Sequence, residues 1–136
     1  MKHHPGQIAF PGGKQDAGDA TLIETALREA REEIGLPPEH VTVLGTLPAH
    51  ETVTGFVVTP VLALIDQPFA EIAEQGEVAE VFRTPLPHVL NPANFRVEGR
   101  YWRGNMRRYY TVPFGPYYIW GATARILRAL ADRMQE

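Results

Sequence analysis

The sequence has no cysteine, an excess of acidic over basic residues and no long apolar run. Without cysteine, the 136-residue chain has no disulfide framework, no thiolate metal site and no cysteine nucleophile. Its 13 Lys and Arg against 16 Asp and Glu give a formal charge of −3, the wrong sign for coating nucleic acid or anionic lipid. The longest apolar run, Val61–Ile65, is far shorter than the roughly 20 residues of a membrane helix. We therefore expect a soluble, cytoplasmic protein that binds neither nucleic acid nor membrane.

The residues that are present indicate one domain, residues 1–136, with an α+β fold. Hydrophobic residues make up 44% of the chain, and 12 Gly and 12 Pro divide it into short elements. Apolar residues at helical spacing predict helices over residues 20–34 and 119–134, with Asp19 as the cap of the first and Gly35 after its end. Strand-like composition marks residues 41–47, 55–65, 77–83, 95–98 and 108–113, with a hairpin turn at 103–105.

Three glutamates of the first predicted helix, Glu29, Glu32 and Glu33, lie away from its apolar face in a sector of their own. Like charges at this spacing destabilise a helix by roughly 0.2–0.5 kcal/mol per pair unless a cation neutralises them. Oxygen ligands from one rigid element suit a hard cation that shares its shell with substrate phosphates, which indicates Mg²⁺ or Mn²⁺. The alternative is a solvated acidic face without a ligand.

The sequence around these glutamates resembles a known motif. Residues 28–36 read Arg-Glu-Ala-Arg-Glu-Glu-Ile-Gly-Leu, and all nine positions match the core of the Nudix box, Arg-Glu-apolar-any-Glu-Glu-any-Gly-apolar. One position departs, because Ala20 stands where the common spacing puts another glutamate. Asp19 stands one position earlier and Glu24 four positions later.

A wider resemblance points to the coenzyme A pyrophosphatase branch of the Nudix hydrolases. It covers residues 4–13, which contain Phe-Pro-Gly-Gly, and less specific segments at 54–60, 77–82 and 118–127. The resemblance implies a Nudix-type mixed β-sheet packed between helices, an α/β/α sandwich. The branch signature continues upstream with a strand and an arginine, so we expect the sheet to lack its N-terminal strand. Either the sequence starts too late, or the exposed edge is paired. A homodimer is a separate expectation.

The resemblance also implies a reaction. It is metal-dependent hydrolysis of coenzyme A or its thioesters at the pyrophosphate, giving 4′-phosphopantetheine, or its acyl form, and adenosine 3′,5′-bisphosphate. One alternative is a Nudix enzyme acting on another nucleoside diphosphate derivative, such as ADP-ribose or NADH. Another is an inactive Nudix-like module that binds a nucleotide.

By resemblance, Glu29 and Glu33 hold Mg²⁺ or Mn²⁺, Glu32 is a ligand or the partner base, and Arg28 orients a glutamate. Glu29 is the alternative base. Glu77 is a further candidate for water activation or metal binding, or else a strand-edge residue. The remaining candidates for substrate binding are Gly12, Gly13 and Lys14, where the two glycines let the backbone approach the helix and the metal.

A basic strip between residues 96 and 108 stands out in an acidic chain. Its arginines, set against Glu98 alone, give a local charge of +4: Arg96, Arg100, Arg103, Arg107 and Arg108. Such a strip suits the 3′-phosphate of coenzyme A, with Arg100 and Arg103 as the candidate residues. The alternatives are a solvated hairpin and the rim of a dimer.

Overall fold

A computed structural model of the protein describes residues 8–52 and 54–135. Within it the chain divides between Phe82 and Arg83 into two compact units. The single domain expected from the sequence stays a prediction.

The first unit begins with helix α1, Leu22–Ile34, whose start differs from the prediction. Thr21, not Asp19, is the N-cap: its hydroxyl accepts from the Glu24 N–H, and the Glu24 side chain accepts from the Thr21 N–H. This reciprocal capping box satisfies two free backbone donors, which a lone Asp19 cap does not. At the other end, Gly35 adopts the predicted role of C-cap at φ 76° in the left-handed region.

Four short strands follow a 3₁₀ turn, Pro38–His40. Strand β1, Val41–Thr46, pairs antiparallel with β4, Val61–Ile65, and β2, His50–Glu51, pairs antiparallel with β3, Val57–Val58. The single strand predicted over residues 55–65 is therefore two strands with different partners. The break falls at Thr59 and Pro60, because proline has no N–H to donate to a ladder; the Pro60 carbonyl accepts from the Leu47 N–H instead.

The strand predicted over residues 77–83 was wrong. In the described part of the chain no strand forms there, and the N–H groups of Glu77 and Val78 both turn back to the Glu74 carbonyl. Gly76, at φ 88°, supports this turn. The composition of this segment is strand-like, but a strand also needs a neighbour to pair with.

The second unit is built on a hairpin. Strand β5, Arg96–Trp102, pairs antiparallel with β6, Asn105–Thr111, over seven register positions. Both strands extend further toward the hairpin turn than predicted. The turn residues Arg103 and Gly104 have φ of 50° and 78°, the two positive values that a two-residue hairpin turn with the strand twist requires.

Helices cover one part of this hairpin. Helix α2, Leu86–Val89, and a 3₁₀ turn, Pro92–Asn94, precede it, and α3, Gly121–Met134, packs on β6 after it. α3 confirms the predicted closing helix. The buried core of the unit consists of apolar side chains: Val89, Phe95, Val112, Ile119, Ala124, Ile126 and Ala131.

The combination of helices with antiparallel strand pairs confirms an α+β fold. The expectation of a missing N-terminal strand concerns the stretch up to residue 7 and lies outside the described residues. Across those residues no helix has the length and apolar character needed to cross a membrane. The cytoplasmic location stays a prediction.

Candidate active site

The three glutamates of the acidic helix face have different surroundings. Glu33 is buried, with 4% of its surface exposed, and its Oε2 accepts from the Gly12 N–H at 2.9 Å. The side chain of Glu29 is 18% exposed and that of Glu32 is 53% exposed. The face is therefore not uniformly solvated: one carboxylate is fixed inside, one is half-enclosed and one meets water.

Glu29 and Glu33 form a close pair of carboxyl groups. Burial raises the pKa of Glu29, and its contact and repulsion with Glu33 raise that pKa further. Gly13 lies directly against this pair: a Cβ built there would come within 2.7 Å of the Glu29 carboxyl carbon. The Glu29 carboxylate therefore occupies the space that a side chain at position 13 would need.

Arg28 connects the helix to the loop that precedes it. Its guanidinium binds Asp19 through Nε and Nη2, at 3.0–3.2 Å, and through Nη1 it donates to Glu29 at 3.0 Å and to Glu32 at 3.2 Å. Nη2 also donates to the Lys14 carbonyl at 3.2 Å and lies 3.4 Å from Asp16. One cation thus faces four carboxylates, so the surroundings remain strongly negative.

Arg28 makes more hydrogen bonds to Asp19 than to any other carboxylate in this group. Hydrogen bonds from Arg28, with others from the Asp16 N–H and the Thr25 hydroxyl, lower the pKa of Asp19 to about 2. Asp19 in turn raises the pKa of Arg28. The prediction of Asp19 as the helix cap was wrong. Asp19 binds Arg28 instead. Its position next to Ala20, where the box is expected to carry an acidic residue, was the sequence signal for this role.

Two further candidates lie outside this pair. Glu77 is half-buried in the turn after Gly76, and the Lys14 ammonium lies 5.2 Å from the centre of the Phe56 ring. Within residues 8–52 and 54–135, no group of three or more His, Asp or Glu side chains is assembled for a metal ion. The structure therefore brings Glu29 and Glu33 together, while Glu32 and Glu77 stay predicted participants.

The arginines of the basic strip separate onto two faces of the hairpin. Arg100 pairs directly with Arg107 across the strands, whereas Arg108 pairs with Gly99 and belongs to the opposite face. Arg100 lies over the Trp120 ring at 5.9 Å, and Arg103 and Arg107 lie over the Trp102 ring at 4.6 and 5.3 Å. The sequence-based prediction included the arginines but not the indole rings that they contact.

Comparison with known proteins identifies the family. The family model described as NUDIX domain matches residues 1–102. The chain belongs to the Nudix family. Similar proteins, each described as an uncharacterized Nudix hydrolase NudL, occur in Citrobacter koseri and in Salmonella newport. Both are 45% identical over 131 residues, which is 96% of this chain and 68% of the relative.

Membership makes this chain a pyrophosphohydrolase with a small nucleotide substrate. Nudix hydrolases need divalent metal ions, and the residues present fit one. Glu29 and Glu33 offer only oxygen donors, and their mutual repulsion and half-buried setting leave negative charge that a cation would neutralise. A hard cation commonly takes one or two protein carboxylates and completes its shell with water and phosphate. A homodimer stays a prediction.

Proposed function

We propose that this Nudix hydrolase cleaves the pyrophosphate of coenzyme A or its thioesters, with Mg²⁺ or Mn²⁺ as the cofactor. The products would be 4′-phosphopantetheine, or its acyl form, and adenosine 3′,5′-bisphosphate. The observation that carries the proposal is the contact between the Phe-Pro-Gly-Gly loop and helix α1, which carries the Nudix box. Gly12, within the Phe-Pro-Gly-Gly segment, donates its N–H to the buried carboxylate of Glu33, and Gly13 faces the carboxylate of Glu29.

The chemistry asks mainly for charge neutralisation. Water must attack a phosphorus surrounded by anionic oxygens, forming one P–O bond while the bridging P–O bond breaks and a carboxylate takes the water proton. When bound, the cation would neutralise negative charge on the phosphate oxygens and would lower the pKa of the attacking water. Glu29 and Glu33 are the proposed ligands.

The remaining residues position and exchange protons. Glu32 is the proposed base, since it is exposed to water and next to the pair on the helix; Glu29 is the alternative, and Glu77 a further candidate. Arg28 holds the Glu29 and Glu32 carboxylates through Nη1. Gly12, Gly13 and Lys14 are proposed to meet the substrate's diphosphate, and Arg100 and Arg103 its 3′-phosphate.

The remaining parts of the fold expectation belong to this proposal. We propose one Nudix domain over residues 1–136, built as a mixed sheet between helices. The NUDIX match over residues 1–102 supports it, because that match crosses the boundary at Phe82 and includes β5 of the second unit.

Product analysis tests the proposed function. The protein is incubated with coenzyme A, ADP-ribose and NADH in the presence of Mg²⁺ or Mn²⁺, and the products are identified by mass spectrometry. We expect phosphopantetheine from the wild type and none from the double variant Glu32→Gln, Glu33→Gln. Cleavage of ADP-ribose or NADH alone would keep the hydrolase and reject the substrate. Silence on all three would favour a binding module.

A further inference from the structure

The hairpin of the second unit holds three arginines in an unusual state. Arg100, Arg103 and Arg107 are all exposed, and each guanidinium carbon lies over an indole ring at 4.6–5.9 Å from its centre. Among the residues that the structure describes, none of the three forms an ion pair with a carboxylate, although Glu98 lies on the face of Arg100. A cation–π contact uses no hydrogen-bond acceptor, so the N–H groups of these guanidinium groups stay available to an anion.

Two other arginines show what the three lack. Arg28 directs its N–H groups to carboxylates and a carbonyl. Arg128 also lies over aromatic rings, those of Phe95 and Tyr110, yet it donates through Nε to Asp132 at 3.0 Å. Stacking therefore does not exclude a carboxylate partner in this protein.

The register adds repulsion to the free donors. Arg100 and Arg107 occupy directly opposed positions on β5 and β6, where like charges destabilise a sheet. Arg103 approaches the same indole as Arg107, which brings a third positive charge to this end of the hairpin. The arrangement is unfavourable for an empty hairpin and favourable once a multiply charged anion lies between the side chains.

We propose that Arg100, Arg103 and Arg107, supported by Trp102 and Trp120, form a site for the phosphomonoester group of a nucleotide. A phosphomonoester carries close to two negative charges and three terminal oxygens, which matches several planar donors carried by one end of the hairpin. A single phosphodiester offers one charge and two such oxygens. The inference rests on the proposed function only for which molecule carries the group; in coenzyme A it is the 3′-phosphate.

Tryptophan fluorescence gives a direct test, because the two tryptophans of the chain, Trp102 and Trp120, are the two rings beneath the arginines. The intact protein is titrated with adenosine 3′,5′-bisphosphate at about 0.15 M salt, which screens unspecific attraction. Excess EDTA removes cations from the acidic helix. We expect a saturable change with half-saturation below about 1 mM, and no such change with adenosine.

Three variants define the site. Arg100→Ala and Arg107→Ala should each weaken binding of the bisphosphate about tenfold or more, as expected for a lost charge-assisted hydrogen bond. Arg108→Ala is the matched control: it removes the same charge from the same exposed hairpin but from the other face, and it should leave binding within about twofold. Equal losses in all three variants, or no response to the bisphosphate, would overturn the proposal, as would equal binding of adenosine.

This result is separable from the proposed function. Bisphosphate binding that depends on Arg100 and Arg107, in a protein that leaves coenzyme A intact, would reject the substrate and retain the site. Hydrolysis of coenzyme A and of its 3′-dephospho form at equal rates, with no fluorescence response, would retain the reaction and reject the site.

Discussion

Arginine serves opposite purposes in the two units of this protein. In the first unit one arginine, Arg28, faces four carboxylates within 3.4 Å. In the second, Arg100, Arg103 and Arg107 have no carboxylate partner among residues 8–52 and 54–135 and lie over indole rings. The first arrangement leaves excess negative charge beside the Nudix box, and the second leaves excess positive charge on a hairpin. The chain as a whole, at −3, shows neither, so local patterning rather than net charge indicates the ligands.

The largest effect should come from removing the buried charge of the acidic site. Glu33→Gln keeps an oxygen that accepts from the Gly12 N–H but loses the negative charge, so we expect turnover to fall about a hundredfold or more with little loss of fold. The rise in Tm caused by Mn²⁺ should shrink as well. The matched control is Glu24→Gln on the same helix, which keeps the capping box. Equal rates for the two variants would remove Glu33 from the site.

A smaller loss of activity should follow from displacing the Glu29 carboxylate while Glu29 itself is kept. In Gly13→Ala the new methyl group would overlap the Glu29 carboxyl group, and the flexible side chain must move away. We expect kcat/KM to drop about tenfold or more, as displaced catalytic groups do, while Tm changes little. Gly18→Ala is the control, because its Cβ would meet open space. A Gly13→Ala enzyme with normal kcat/KM would show that this contact does not position Glu29.

The tight ion pair of Arg28 and Asp19 should appear in the pH dependence of stability. Because the pKa of Asp19 is lowered to about 2, its ionised form stabilises the fold fully above its ordinary value of 3.8 and loses this contribution as the pH falls through 2. Asp19→Asn should therefore lower Tm by several degrees at pH 6, and its deficit from wild type should shrink toward pH 3. Thermal melts across this range measure it. A constant deficit would contradict the assignment.

The smallest effect, on the free energy of unfolding, should come from an arginine of the hairpin in the second unit. Arg107→Ala removes a charge that has no carboxylate partner in the described residues and faces Arg100 across the strands. We expect the free energy of unfolding to stay within about 0.5 kcal/mol of wild type or to rise slightly. Denaturant unfolding measures this. A clear loss of stability would mean that the hairpin needs Arg107 for folding, and the contrast with Arg28 would disappear.

Local patterns predicted the elements that depend on local interactions. The box helix, its Gly35 end, the turn at Arg103 and Gly104 and the closing helix were all recognisable, since each follows from spacing or from a demand on φ. The strand over 77–83 was wrong because pairing partners are not encoded locally. The helix cap was wrong because Asp19 and Thr21 are both good capping residues, and Glu24 and Arg28 decided between them.

The candidate site was predicted as a set of residues but not as an arrangement. Glu32 and Glu33 are neighbours in a row of identical side chains, yet one is exposed and the other buried. The loop that returns to the helix at Gly12 makes this difference. Likewise, the sequence showed the arginines of the basic strip, but only the strand register separated Arg108 from Arg100 and Arg107.

Main-chain hydrogen bonds help to fasten the end of α1. The carbonyls of Glu33 and Ile34, which have no partner within the helix itself, accept from the N–H groups of Glu74 and Ile72 at 3.0 and 2.9 Å. These two hydrogen bonds do not depend on which side chains stand at 72 and 74, whereas proline at either position would remove one of them, because it has no N–H. Slow amide exchange at these two positions would be the signature of this backbone anchor for the helix that carries Glu33.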